Sequence, residues 1–388
     1  MTSGCEVDPE RLYSLFLDLV RIDSVSRFEQ SASRYIRGFF SDLGIECIED
    51  DAGEKTGGGS GNLIARIDPR CADPGETLVL NAHFDTVEPG RGIVPVRGED
   101  RFSSAGETIL GADDKAGIAA ILATAEALVR DGAARRPVEV VLTVQEELGL
   151  AGVKQMDLSQ VGGRAGLVLD GSGKVGGIVT EAPSHEMMWF ALKGRAAHAG
   201  VEPEKGVSAI ACAADAIAGL DLGRLDEGTT ANIGMIKGGR AMNIVPDTAE
   251  VAGEIRSLSD ERLSAEALKM FEVFREAAAR HGCELEHERM RSFQHYRIDR
   301  DSPHLREVTA AMRDCGVDPF FITSGGGSDA NVFNAAGMQM LNINIGIEDA
   351  HSLCESVNMS DMLAVTRLML RLATGGADPG PGGSGGRT

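Results

Sequence analysis

Short apolar runs that stop abruptly at aspartate, glutamate or histidine recur along this 388-residue chain, and no other feature restricts its fold as much. Leu78-Val79-Leu80 leads into His83-Phe84-Asp85, and Val140-Val141-Leu142-Thr143-Val144 into Glu146-Glu147. Leu167-Val168-Leu169 ends at Asp170, and Met340-Leu341-Asn342-Ile343-Asn344-Ile345 runs toward a polar loop with His351. A fifth polar stop, Gly111-Ala112-Asp113-Asp114-Lys115, opens a helical stretch. Apolar runs of this length, alternating with helical patterns, read as buried strands of an α/β sheet. Open α/β sheets place their sites at the carboxyl ends of the strands, so oxygen and imidazole donors would gather along one edge. That arrangement points to a carboxylate-rich metal centre.

The length suits two domains with a sizeable core. Residues 9 to 43 read as one or two amphipathic helices, with Leu12, Leu15, Phe16 and Leu19 on one face and Gly44 after the last turn. Residues 52 to 61, with the run Gly57-Gly58-Gly59-Ser60-Gly61, read as a flexible loop. The α/β alternation begins at Asn62 and includes a helix over 117 to 130. A second pattern starts near Ala182, with strands over 187 to 193, 231 to 237, 248 to 256 and 284 to 290 and helices over 207 to 220 and 260 to 281. That order, βαββαβ, is the ferredoxin-like unit. In its second helix Leu263, Ala267, Phe271, Phe274 and Ala278 share a face, with Ser259 as N-cap and Gly282 as the stop. The α/β pattern resumes after about Phe293, with a helix over 303 to 315 and strands over 319 to 322 and 340 to 345. The expected organisation is a catalytic α/β domain in two parts, 1 to 181 and 293 to 374, interrupted by a satellite domain over 182 to 292. Residues 375 to 388, rich in Gly, Pro and Ser, read as a disordered tail.

The formal charge of −21 argues against nucleic acid or an anionic membrane as partner, because both call for a basic footprint. The seven cysteines are scattered, odd in number and without a Cys-x-x-Cys pair, which favours a reducing compartment over a disulfide framework. The start, Met1-Thr2-Ser3-Gly4-Cys5-Glu6-Val7-Asp8-Pro9, has neither the basic nor the apolar part of a signal peptide, and no segment has the apolar length of a membrane span. A cytoplasmic location is the expectation.

Each donor has an ordinary reading when taken alone. His83 and Asp85 are a common pair, yet they follow one strand with period two, so Asp85 can orient the imidazole. Asp113-Asp114 at a helix start can be dipole compensation, and Glu146-Glu147 a solvated loop. Asp170 leaves a buried strand at a glycine-flanked turn, and a loop histidine such as His351 is usually simply exposed. Adjacent acids repel, however, and two such pairs are easier to explain if cations neutralise them. Two histidines with several carboxylates and no cysteine suit two divalent ions, zinc first, with cobalt or manganese as alternatives. Gly171-Ser172-Gly173-Lys174 is not a phosphate loop, since Val168 holds the first glycine position and Val175 follows the lysine. Neither His185-Glu186-Met187-Met188-Trp189 nor the glycine-serine pattern at 382 to 386 forms a catalytic motif.

Six motifs occur in an order that resembles the M20 family of co-catalytic metallopeptidases, most closely its peptidase T-like branch. They are Asn81-Ala82-His83-Phe84-Asp85-Thr86-Val87, Gly111-Ala112-Asp113-Asp114-Lys115-Ala116-Gly117, Gln145-Glu146-Glu147-Leu148-Gly149, His198-Ala199-Gly200, Asn243-Ile244-Val245-Pro246-Asp247 and Gly326-Gly327-Ser328-Asp329-Ala330. The resemblance implies a mixed-sheet, zinc-exopeptidase-like catalytic domain with the ferredoxin-like satellite inserted. It implies that His83 and Asp170 hold one metal, Glu147 and His351 the other, and that Asp113 bridges them, with a cis Asp113-Asp114 peptide. Glu146 would be the general base toward a metal-bound water, and Asp85 the support for His83. His198 would reach the site of a partner subunit and help stabilise the oxyanion, in a homodimer formed through the satellite domain. Arg256 would bind a substrate carboxylate and Asn243 would touch substrate, although by themselves they read as a strand-end charge and a turn residue.

The implied activity is exopeptidase action on short peptides, as an aminopeptidase. One departure bears on substrate: aminotripeptidases of this branch carry an arginine just before their Gly-Gly-Thr/Ser-Asp motif, and Gly325 stands in that place. Loss of such a clamp weakens the case for strict tripeptide selectivity. A carboxypeptidase or N-acyl-amino-acid amidohydrolase with the same metal centre is the alternative, and a catalytically silent peptide-binding protein a more remote one.

Overall fold

In the computed structural model, which describes residues 7–72 and 75–375, the alternating pattern becomes a large mixed sheet with a parallel centre. Across it the strands run Leu63–Ile67, Val138–Thr143, Leu78–His83, Ala165–Ser172 and Gln339–Glu348. The last four are mutually parallel, and only Leu63–Ile67 opposes its neighbour. Val138–Thr143 and Leu78–His83 are buried along their whole length, as a sheet covered on both faces requires. The helix Ala112–Arg130 lies against the sheet and is itself covered by the helices Pro9–Val20 and Met359–Thr374, so nearly all its residues are buried.

Residues 9 to 43 form two helices, Pro9–Val20 and Gln30–Asp42. The first starts where the Asp8 side chain accepts the Glu10 and Arg11 amides. The flexible loop expected over 52 to 61 is not what forms. Ala52–Thr56 is a short helix closed by Gly57 at φ 70°, and Gly58, Gly59 and Gly61 after it sit against other segments, where a Cβ at Gly61 would lie 2.0 Å from the Asp50 carbonyl oxygen. These glycines serve close approach, a role that composition alone does not separate from flexibility.

The chain separates into two units: Met1–Thr180 with Ile298–Ile322 and Ser328–Thr388, and Glu181–Arg297 with Thr323–Gly327. The second unit is a five-stranded antiparallel sheet in the order Gly223–Arg224, Thr229–Gly238, Thr248–Ser257, Ser184–Lys193, Glu284–Phe293, with the helices Ala209–Ala218 and Asp260–His281 on one face. Leaving aside the two-residue edge strand, the first strand lies between the third and fourth, the ferredoxin-like arrangement. Helix Asp260–His281 has the expected limits, with Ser259 Oγ accepting from the Arg262 amide and Gly282 closing it at φ 72°. Its Phe274 stacks on Phe190 of the first strand, centroids 3.9 Å apart, in a core completed by Met188, Leu192, Val251, Ile255 and Leu263. The expected tail lies, from residue 376 on, outside the described residues.

Candidate metal centre

Because the central strands are parallel, their carboxyl ends share one edge of the first unit. His83 is the last residue of its strand. Glu146 and Glu147 follow Val138–Thr143 after a turn in which Gln145 takes φ 52°. Asp170 reaches the edge by an irregularity: opposite Gln339–Glu348 the pairing jumps from Asn342 with Val168 to Asn344 with Gly171, which leaves Leu169 and Asp170 bulged. His351 follows the Gln339–Glu348 strand at φ 62°, and Asp113 stands at the start of Ala112–Arg130 in a non-helical conformation. Left-handed backbone at non-glycine residues is uncommon and gathers at functional sites. The Asp113-Asp114 peptide is cis, as the resemblance implies.

Asp113 sits between the two histidines. Its Oδ1 is 3.2 Å from His83 Nε2 and its Oδ2 is 3.3 Å from His351 Nε2. Asp170 Oδ1 approaches His83 Nε2 at 3.8 Å, and Glu147 Oε1 approaches His351 Nε2 at 2.7 Å. Among the described residues, donor atoms of His83, Asp113 and Asp170 fall within 4.8 Å of one another, and so do those of Asp113, Glu147 and His351. A third grouping, His83 with Glu146 and Glu147, brings Glu146 beside both. The two main sets therefore share one carboxylate.

Asp85 does more than face the His83 ring. The imidazole Nδ1 lies 3.0 Å from the Asp85 carbonyl oxygen and 3.4 Å from its Oδ1, an environment that keeps a proton on Nδ1 and aims Nε2 at the carboxylates. The Asp85 carboxylate also accepts the amides of Glu146 (2.9 Å) and Glu147 (3.3 Å) and the Ser26 hydroxyl (2.7 Å). It thus fixes the turn carrying Glu146 and Glu147 as well as the histidine. Asp114 accepts the Gly117 amide at 3.2 Å, so for this residue the helix-capping reading is the observed one.

Burial and mutual repulsion drive the acids apart in charge. Burial, reinforced by Asp113 and Glu147 nearby and opposed by His83, pushes the Asp170 carboxyl up to about 7. Burial, with Asp170 close by, also holds Glu146 well above the usual carboxylate range. For Asp113 the cost of burial is outweighed by hydrogen bonds to His351 and His83, which hold it below the usual range. Hydrogen bonds to Asp113 and Glu147 raise His351 to about 10, and those to Asp113, Asp170 and Asp85 raise His83 against the effect of its burial. Without cations the cluster must hold protons between its ligand atoms. Two three-donor sets of imidazole and carboxylate, sharing one acid, fit two divalent ions of the zinc, cobalt or manganese kind.

Some contributors were not legible as such. Glu355 accepts the amides of Gly111 (2.8 Å) and Asp113 (3.0 Å) and so secures the turn carrying Asp113. Asp329 accepts from Thr143 Oγ1 (2.5 Å) and Asn81 Nδ2 (3.3 Å), tying two donor-bearing strands together from below. Its Ser-Asp motif was a signal without a role. A cavity of about 490 Å³ opens beside Glu147, with Val25, Phe28, Val87 and Leu148 among its lining.

The remaining expected residues lie in the second unit. His198 is exposed, its Nδ1 accepting from the Gly200 amide, and its loop pairs with that of Asn243 through the Ala199 amide and the Asn243 carbonyl (3.0 Å). Arg256 is the ninth residue of Thr248–Ser257, and Gly325, with nothing within 4 Å of where a Cβ would stand, lies beside it through a 3.3 Å bond from Arg256 Nη1 to the Gly325 carbonyl.

The mixed sheet with a carboxylate-rich edge and the separate antiparallel unit define a metal-dependent hydrolase. Residues 79–375 match the family described as peptidase family M20/M25/M40, and the chain belongs to it. A protein of Bacillus subtilis strain 168 described as uncharacterized protein YqjE is 38% identical over 366 residues, covering 94% of this chain and 98% of that protein. The crystal structure of aminopeptidase PepT from Bacillus cereus ATCC 10987 shares 37% identity at a TM-score of 0.85, covering 96% of this chain and 99% of its own. A tripeptidase from Staphylococcus aureus subsp. aureus Mu50 shares 32% identity at a TM-score of 0.89, covering 95% and 98%.

Proposed function

We propose that the chain is a two-metal exopeptidase acting on short peptides, as an aminopeptidase. The observation that carries this reading is Asp113, whose two carboxylate oxygens face two different histidines. His83 and Asp170 would hold one ion, Glu147 and His351 the other, and Asp113 both, with zinc as the leading candidate. When bound, the ions supply Lewis-acid polarisation of the scissile carbonyl and acidify the attacking water. Glu146, buried beside both donor sets, takes a proton from that water and returns it to the leaving nitrogen, a task its raised affinity for protons suits. Asp85 holds Glu146 through its amide, and the cavity beside Glu147, where Val25, Phe28, Val87 and Leu148 stand among polar side chains, receives a substrate side chain. His198 acts as a donor to the developing oxyanion in a partner subunit of a cytoplasmic homodimer, and Asn243 and Arg256 contact substrate. The similarity to an aminopeptidase and a tripeptidase, each above 30% identity across nearly the whole chain, supports the aminopeptidase assignment.

The open space at Gly325 favours one second reading, a carboxypeptidase or N-acyl-amino-acid amidohydrolase with the same centre. Tripeptides with free and acylated N-termini separate the two on metal-loaded protein. Cleavage confined to free N-termini is the expected result, and cleavage that survives acylation removes the aminopeptidase reading.

A further inference from the structure

The cysteines are scattered in sequence, yet the fold of the second unit brings two of them together. Cys212 lies on the helix Ala209–Ala218, buried in the core with Ala209, Ala213 and Ala216, and the half-buried Cys283 packs against that same core. The two helices of this unit run side by side in opposite senses. Asp215 Oδ2 lies 2.9 Å from Arg280 Nη2 and 3.1 Å from His281 Nε2, whereas a Cβ at Gly219 would stand 3.2 Å from Val273 Cγ1. Cys212 is one turn before Asp215, and Cys283 directly follows Gly282, where the longer helix stops. Antiparallel packing thus sets the two cysteines against each other, with their thiols within hydrogen-bonding reach. Both are fixed in the backbone: the Cys212 amide donates to the Ser208 carbonyl at 3.1 Å and the Cys283 amide to the Ala278 carbonyl at 2.9 Å. Neither belongs to the metal centre.

Burial divides the work between them. A small oxidant reaches Cys283, but Cys212 is closed off from solvent. Burial first, and then the neighbouring Cys283, push the Cys212 thiol up to about 12, which keeps it protonated and inert on its own. Such a thiol reacts once a sulfur in contact with it has become an electrophile.

The structure assigns Cys212 and Cys283 as a modification site for peroxides: a dithiol, made by the fold rather than by sequence spacing, that closes reversibly to a disulfide. The Cys283 sulfur attacks one oxygen of hydrogen peroxide, the O–O bond breaks, and the thiol proton leaves with the other oxygen as water. Cys212 then attacks the sulfenic sulfur of Cys283. The S–S bond forms, the S–O bond breaks, and hydroxide departs with the Cys212 proton as a second water. The two thiols lose two electrons and the peroxide gains them. In a reducing compartment the dithiol is the resting state, and the disulfide is the transient one. Closed, it ties the helix Ala209–Ala218 to the start of the strand Glu284–Phe293 across about 70 residues of chain, which restricts the unfolded state.

The test treats full-length, metal-loaded protein with hydrogen peroxide, blocks the remaining thiols with N-ethylmaleimide and maps tryptic peptides without reduction. Peptides 206–224 and 281–289, which carry Cys212 and Cys283, should appear joined, and dithiothreitol should separate them. The oxidised protein should melt about 4 °C or more above the reduced one. Cys283→Ser, at a half-buried position, should abolish both the joined peptide and the gain in melting temperature. Separate maleimide-blocked peptides, after peroxide has oxidised the exposed Cys71 and Cys354, overturn the assignment. So does Cys283 recovered as a sulfinic acid with Cys212 still a thiol, and so does a joined peptide that forms only in urea.

Discussion

The second unit and the strand edge of the first treat buried charge in opposite ways. In the second unit each buried or half-buried acid has basic partners: Glu186 is gripped by Arg289 and approached by Arg291, Glu254 is held by His185 and Arg256, and Glu181 by His295 and Arg297. At the strand edge of the first unit the ion pairs of Asp113, Glu147 and Asp170 run to two histidines, and Glu146 gathers beside them with Lys154 within electrostatic reach. Compensated acids stabilise a fold, whereas acids left in surplus at a strand edge call for cations from outside the chain.

The contrast can be broken by removing charge from either side. The largest effect is expected from metal removal. Dialysis against a chelator should reduce peptide hydrolysis to background, and zinc should restore it, as initial rates on a short peptide would show. Apparent zinc affinity should rise with pH, because in the metal-free protein Asp170 keeps its proton up to about 7 and His351 up to about 10, and ions must displace those protons. Glu146→Gln should lower kcat by about 10²- to 10⁴-fold with both ions retained; unchanged turnover would remove it as the base. On the compensated side, Glu186→Ala should cost about 1–3 kcal/mol in denaturant unfolding, leaving kcat per folded molecule unchanged. A loss of activity at unchanged stability would contradict a purely structural role for that cluster.

The smallest effect concerns Glu29, a buried acid near the turn that begins at Gln145 but outside both patterns. Its Oε1 accepts the Arg27 amide, and burial pushes its carboxyl up to about 7. A carboxyl raised in the folded state binds its proton more tightly there than when unfolded, so its contribution is most favourable at low pH and is lost as pH rises through 7. Glu29→Gln should accordingly raise the melting temperature by a few degrees at pH 8 and leave it nearly unchanged at pH 5. Equal shifts at both values would rule out titration as the cause.

The sequence disclosed what depends on local pattern. Helix Asp260–His281 could be delimited because Ser259 and Gly282 bracket a clean apolar face, and the strand ends bearing His83, Glu146 and Asp170 were visible as apolar runs with polar stops. What depends on distant contact stayed hidden. Glu355 supports the Asp113 turn from 244 residues away, and Asp329 reaches Asn81 across 248. The glycine run at 57 to 61 looked flexible because glycine permits both looseness and close packing, and only the neighbouring Asp50 and Gln30 decide which. Arg256 could be singled out as a candidate clamp, yet its pairing with Glu254 depends on side-chain geometry within the strand and on His185 in the next one.

Counting ions tests the central claim most directly. Isothermal titration of metal-stripped protein with zinc, checked by elemental analysis, should give two ions per chain for the wild type and fewer than two for a folded Asp113→Ala variant. A wild type that binds one ion or none, or an Asp113→Ala protein that still binds two as tightly, would contradict a shared-carboxylate centre.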